Sequence, residues 1–96
     1  MIFVPSETAI TLDREFRRKC GQAIRDRRVE LGLSLEDVAG RMTDVGHPIS
    51  RAAIGMWERG ETAPRLRHQL SVAAVLGVRP SDLFRLDHEP EIEQAG

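Results

Sequence analysis

The sequence has a single cysteine and no long apolar run, and both shortages exclude classes of protein. Because Cys20 stands alone, no intrachain disulfide can form, which fits a reducing compartment. No apolar run approaches the ~20 residues of a membrane-spanning helix. The start, Met1 to Pro5, lacks the basic region of a signal sequence. We therefore expect a cytoplasmic protein with no membrane partner.

Motifs for catalysis and metal binding are also missing from the sequence. It has no Gly-rich phosphate loop, no Gly-x-Ser-x-Gly motif and no paired carboxylates in an apolar setting. His47, His68 and His88 do not lie four residues apart, as helical zinc ligands do. We interpret Cys20, which falls on an apolar stripe, as a small core residue. We expect no enzyme activity, catalytic residue, metal or cofactor.

The net charge of −1 argues against a uniformly basic protein, but the charge is unevenly distributed. Between Arg14 and Arg67, twelve Lys and Arg residues outnumber eight Asp and Glu residues, which gives a net charge of +4. From Pro80 onward, five acidic residues accompany Arg85, which gives a net charge of −4. A basic body therefore precedes an acidic tail.

Hydrophobic periodicity and turn residues divide this single domain into five helices and no strand. The helices are expected at about 12–31, 34–43, 50–59, 65–76 and 80–86. Residues 1–11 are predicted to form an N-terminal arm, because Pro5 forbids a helix through them. Residues 87–96 are predicted to be an acidic disordered tail. Four apolar residues of the fourth helix are expected to face the core: Leu66, Leu70, Ala73 and Leu76.

The third helix carries the most informative pattern. Ser50 can cap its first turn, and Gly60 suits a left-handed exit. Ile54 and Trp57, three residues apart, share the inward face. The remaining faces are basic at both ends and have no carboxylate, so this surface can approach a polyanion closely.

Two short helices, the second capped and outwardly basic, are the parts of a helix-turn-helix. Four segments make the match specific: Gly32-Leu33-Ser34-Leu35-Glu36-Asp37-Val38-Ala39, Ile49-Ser50-Arg51-Ala52-Ala53-Ile54, Trp57-Glu58-Arg59-Gly60 and Leu76-Gly77-Val78. Together they resemble the Xre family of regulators, which are similar to the phage Cro and CI repressors. The resemblance implies an all-α, five-helix, lambda-repressor-like helix-turn-helix domain at 12–86. It also implies a sequence-specific, double-stranded DNA-binding transcriptional regulator, expected to be a repressor.

The resemblance also assigns roles to residues. Base-reading positions on the third helix correspond to Arg51, Ala52, Ala53, Gly55 and Met56. Backbone-contacting positions correspond to Ser34, Ser50, Arg59, Arg65 and Arg67. An Arg in the major groove can hold O6 and N7 of a guanine, whereas Met and Ala offer only apolar contacts. The alternative for Arg51 is a solvated surface charge.

In this family an Arg near the end of the first helix pairs with the Glu after the Trp position, and Arg28 and Glu58 occupy the matching positions. Their structural ion pair would join the first helix to the third; the alternative is two independent surface charges. We also expect a homodimer, since one short helix covers few base pairs. Its apolar contact is expected at Leu83, Phe84 and Leu86, with the arm second.

The sequence departs from the family pattern at three places. Leu35 replaces a Gln that often bonds a phosphate, and Gly55 and Met56 replace polar base readers. The connection from Met42 to Ile49 is longer than usual, which would loosen the coupling of the two helices or add a contact loop. These departures slightly favour an alternative function, a protein-interaction module or an antitoxin of a toxin–antitoxin pair. A protein partner would then bind the N-terminal arm, the long loop or the acidic tail.

Overall fold

The computed structural model describes residues 6–85, with side chains from residue 13 onward. These residues form five α-helices: α1 (Ser6–Glu30), α2 (Leu35–Asp44), α3 (Arg51–Glu58), α4 (Leu66–Val75) and α5 (Pro80–Leu83). No strand occurs within 6–85, which confirms the all-α, five-helix prediction. None of the helices described is long and apolar enough to cross a membrane.

The first helix starts earlier than the sequence predicted. It begins at Ser6, so residues 6–11 are helical and do not belong to an arm. Pro5 forbids a helix only through its own position, because it lacks an amide hydrogen and clashes with the preceding turn; a helix can start directly after it. The predicted arm keeps only residues 1–5, which lie outside the described residues, as does the predicted tail.

The core lies where α3 packs against α1 and α2, and where α4 packs against α2 and α5. Its largest fully buried side chains come from four helices: Ile24, Val38, Met42, Ile54, Val72 and Leu76. Trp57 is 4% exposed and completes the inward face of α3 together with Ile54, as expected. Cys20 is also buried, and burial raises the pKa of its thiol, which donates a hydrogen bond to the Phe16 carbonyl oxygen at 2.8 Å.

The buried face of α4 differs from the prediction. Ala73 and Leu76 are buried, but Leu66 is 69% exposed and Leu70 52% exposed. Val72 and Val75 take their places in the core. The stretch 70–76 is almost continuously apolar, so periodicity alone could not select the buried face.

The last helix is shorter than predicted and belongs to the core. It ends at Leu83, which is 4% exposed, and Phe84 packs partly buried against the same cluster. Leu86 lies outside the described residues. The expectation that Leu83 and Phe84 are free for a dimer contact is therefore wrong, because the domain core uses both.

The long connection 45–50 between α2 and α3 is held at both ends. The His47 amide donates to the Met42 carbonyl oxygen at 3.0 Å, closing the end of α2. The His47 ring hydrogen bonds the hydroxyl of Ser71, a buried residue of α4. Ile49 packs against the core, and Ser50 caps α3. The connection therefore couples the two helices to α4, contrary to the expected loosening.

Candidate nucleic-acid interface

A groove with a volume of about 650 Å³ lies between the start of α2 and the outward face of α3, and its walls form a concave surface. We call it the α2–α3 surface; it is lined by Arg28, Ser34, Leu35, Glu36, Arg51, Ala52, Gly55, Met56, Arg59 and Glu61. Four of the five predicted base-reading residues and two of the predicted backbone contacts therefore lie together. No sequence motif indicated that the acidic residues Glu36 and Glu61 would also line this surface.

Serine caps fix the two helix starts at this surface. The Ser34 hydroxyl accepts a hydrogen bond from the Asp37 amide at 2.9 Å, and the Asp37 carboxylate accepts one from the Ser34 amide. The hydrogen bond from the Ser34 amide to the Asp37 carboxylate is the main reason that the pKa of Asp37 lies below its usual value. The Ser50 hydroxyl accepts from the Ala53 amide at 3.1 Å. Each hydroxyl uses an acceptor lone pair in its cap, so its hydrogen can still be donated.

Gly55 lies at the floor of the α2–α3 surface and is buried. A Cβ atom there would lie 3.2 Å from Nη1 of Arg59 and 3.7 Å from Cδ1 of Leu35. Leu35 packs against the hydrophobic core as well. Gly55 and Leu35, two of the departures from the family pattern, therefore lie next to each other where α2 meets α3. Ala53 is half-buried and does not line the surface.

Arg28 and Glu58 form a bidentate ion pair beneath the surface. Nε and Nη2 of Arg28 donate to Oε2 and Oε1 of Glu58 at 2.7 and 2.9 Å. Nη1 of Arg28 also donates to the Leu33 carbonyl oxygen at 2.8 Å. The two side chains are 13% and 5% exposed, so they are not independent surface charges. The hydrogen bond to Glu58 raises the pKa of Arg28.

Arg59 is paired differently. Its Nε donates to Oε2 of Glu61 at 2.6 Å, and this hydrogen bond raises the pKa of Arg59. Both side chains are at least half exposed, so water screens the pair. Glu61 and Glu36 thus place negative charge at the rim of the surface.

Three arginines near the surface have no such partner. Within the described part of the chain, the side chains of Arg51, Arg65 and Arg67 make no ion pair or hydrogen bond, and all three are exposed. Arg51 is the first residue of α3 and lines the α2–α3 surface. Arg65 and Arg67 stand outside that surface, at the start of α4, where Arg65 makes no capping bond. The first-turn amides of α4 therefore lack a side-chain cap.

A family model described as helix-turn-helix matches residues 24–83. The chain belongs to this helix-turn-helix family. The match lies within the helix-turn-helix domain that the resemblance implied, 12–86, and confirms the resemblance. The helix-turn-helix fold is also that of a solved structure titled "Structure of the S. venezulae BldD DNA-binding domain". The two chains superpose with a TM-score of 0.61 at 25% identity, over 74% of this chain and 99% of that one. No curated protein sequence matches the chain.

In this helix-turn-helix, α2 and α3 are the paired helices, and α3 holds the position of the helix that enters the major groove in such motifs. The family model starts at residue 24 and therefore excludes most of α1.

Proposed function

We propose that this protein is a non-enzymatic transcriptional regulator that binds double-stranded DNA with α3 in the major groove. The observation that carries the proposal is the charge of the outward face of α3. Arg51 is unpaired there, and the only carboxylate of α3, Glu58, is neutralised by Arg28 in the interior. A phosphate backbone can therefore approach α3 without meeting an exposed carboxylate of that helix. The BldD domain, whose title names it as DNA-binding, supports the same function.

Contacts to the DNA backbone are proposed on both sides of α3. The Ser34 and Ser50 hydroxyls retain a hydrogen to donate to a phosphate oxygen. Arg65 and Arg67 flank the uncapped start of α4, where free amides and the helix dipole both favour an anion. Arg59 is a weaker candidate, because it must exchange Glu61 for a phosphate. Such contacts fix position without specifying sequence.

Sequence readout is proposed for Arg51, Ala52 and Met56. Arg51 is free to take the O6 and N7 atoms of a guanine with two hydrogen bonds. Ala52 and Met56 line the same surface and supply apolar contacts. Gly55 is buried and has no side chain to contact a base, so it contributes no direct readout.

We further propose a homodimer that represses transcription by occupying its operator. One short helix with one polar base-reading side chain selects few base pairs, whereas two copies would bind half-sites roughly one helical turn apart. Leu66 and Leu70, four residues apart on α4, are exposed and supply an apolar patch for a two-fold contact. They replace Leu83 and Phe84, which the core buries.

The test compares Arg51→Ala with Arg67→Ala on duplexes selected from a random pool. Arg51→Ala should lose about 1–3 kcal/mol of binding free energy at one base pair and relax specificity there. Arg67→Ala should weaken every duplex alike and reduce the slope of log affinity against log salt by roughly 0.9. Equal, sequence-blind losses would show that Arg51 contacts only backbone. The absence of duplex binding even at low salt would refute DNA as the partner.

A further inference from the structure

The α2–α3 surface carries an apolar patch beside its one unpaired arginine. Leu35 from α2 and Ala52 and Met56 from α3 line the same concavity, over the floor made by Gly55. Leu35 and Met56 are half-buried, so each side chain is supported by the domain and also presents apolar surface outward. A Cβ atom at position 55 would lie in ordinary contact with Cδ1 of Leu35, at 3.7 Å, and closer to Nη1 of Arg59, at 3.2 Å. The patch is thus built jointly by two helices.

A patch of this kind distinguishes the bases by a single chemical group. Base edges in the major groove present donors, acceptors and one apolar substituent, the C5-methyl group of thymine. Leu35 has neither a donor nor an acceptor and Met56 has only a weak thioether acceptor, so an amino group or a ring nitrogen facing them loses its water without a good replacement partner. A C5-methyl group has no such requirement, and its burial against Leu35 and Met56 is favourable.

We propose that the Leu35–Ala52–Met56 patch selects a pyrimidine bearing a C5-methyl group, next to the guanine held by Arg51. The inference rests on the proposed binding of duplex DNA by α3 and specifies the operator that this surface takes. Among the charged residues that line the surface, unpaired Arg51 attracts the nucleic acid at the edge of the patch, whereas Glu36 and Glu61 place negative charge at the rim. Leu35, at a position where related proteins often contact a phosphate, here becomes a specificity-determining residue.

The test measures the affinity of the full chain for the best duplex from a random pool, with each thymine replaced in turn by deoxyuridine. Deoxyuridine keeps every hydrogen-bonding group and the charge of thymine and lacks only the methyl group. We expect about a three- to fivefold loss at the thymine facing the patch, the effect of one buried methyl group, and little change elsewhere. A second arm compares cytosine with 5-methylcytosine at the same position. The arm in which the methyl group changes the affinity more shows whether the patch naturally binds the methyl group of thymine or that of 5-methylcytosine.

Matched variants separate this readout from general binding. Leu35→Gln and Met56→Gln should bring the ratio of thymine to deoxyuridine affinity toward one, with unfolding midpoints checked to show that each variant is folded. Arg67→Ala, outside the patch, should weaken binding to both duplexes by the same factor and keep the ratio. A wild-type ratio of one in both arms, or a ratio unchanged in the two Gln variants, would overturn the inference while leaving DNA binding intact. Failure to bind any duplex would instead refute the proposed function.

Discussion

Glu58 shows how one residue combines stability with function. It lies on α3, but its side chain is only 5% exposed, and Arg28 of α1 neutralises its charge. The pair joins α1 to the end of α3, and Arg28 also holds the Leu33 carbonyl oxygen after α1. The same contact that positions α3 therefore removes a carboxylate from its outward face.

We expect Glu58→Ala to destabilise the domain by about 3–5 kcal/mol, because Arg28 would keep its charge in a largely buried site without a partner. Urea unfolding of the wild type and the variant measures this loss. Glu61→Ala is the matched control, since the Arg59–Glu61 pair is exposed and such pairs contribute little to stability. Similar losses of stability in the two variants would show that the buried Arg28–Glu58 pair stabilises the domain no more than the exposed pair does.

His68 makes stability depend on pH. Its ring lies 5.9 Å from the Trp57 ring and 6.5 Å from the His47 ring. Desolvation lowers the pKa of His68, and the charges of Arg67, His47 and Arg65 lower it further. The unfolded chain therefore binds a proton at a higher pH than the folded domain does. The contribution of neutral His68 is complete above its unfolded pKa, near 6.5, and is lost as the pH falls toward the folded pKa.

The prediction is a decline in the urea midpoint between about pH 7 and pH 5 that is shallower in His68→Gln, because the glutamine side chain does not titrate. The midpoint is measured at several pH values for both proteins. Parallel pH profiles would show that His68 titrates alike in the folded and unfolded chains.

At the scale of the helices, two glycines that both lie inside a helix have opposite effects on stability. Gly21 lies where α1 crosses the end of α3, and a Cβ atom there would lie 2.1 Å from the Trp57 carbonyl oxygen. Gly40 lies within α2, with open space around the position of a Cβ atom. Helix propensity treats both positions alike, and only packing distinguishes them.

Gly40→Ala should therefore stabilise the domain by up to about 1 kcal/mol, the difference in helix propensity between glycine and alanine. Gly21→Ala should destabilise it despite the same gain, because backbone atoms of α3 must move to admit the methyl group. Thermal or urea unfolding shows directly whether each variant is more or less stable than the wild type. A stabilised Gly21→Ala protein would mean that α1 and α3 do not approach as closely as described.

At the scale of the whole molecule, the exposed apolar residues of α4 provide the prediction for assembly. A double variant, Leu66→Glu with Leu70→Glu, should remain folded, since both positions are exposed, and should sediment as a monomer at concentrations where the wild type is dimeric. Its footprint should shrink from two inverted half-sites to one, with weaker binding. Val29→Glu, on the end of α1 and 56% exposed, is the control and should stay dimeric.

An unchanged sedimentation coefficient in the double variant would exclude α4 as the interface. Phe84→Glu is unsuitable for this purpose, because Phe84 packs against the core and its replacement should unfold the domain as well.

The sequence by itself determined the features that depend on neighbours along the chain. Ser50 as a cap, Gly60 as a helix exit, and Ile54 with Trp57 on one face follow from local hydrogen bonding and helical spacing, and the structure contains all of them. The motifs around α2 and α3 also identified the family, since such segments combine local capping with a specific order of residues.

Only the tertiary structure decided which of several equally apolar or charged residues face inward. Val72 is buried whereas Leu70 is exposed, and Leu35 lies next to Gly55 in one apolar patch. The tertiary structure also paired Arg59 while leaving Arg51 free. Which residues are buried or paired depends on contacts between residues far apart in the chain. Neither hydrophobic periodicity nor composition specifies those contacts. The charge and shape of the α2–α3 surface are therefore set by how α1, α2 and α3 pack together.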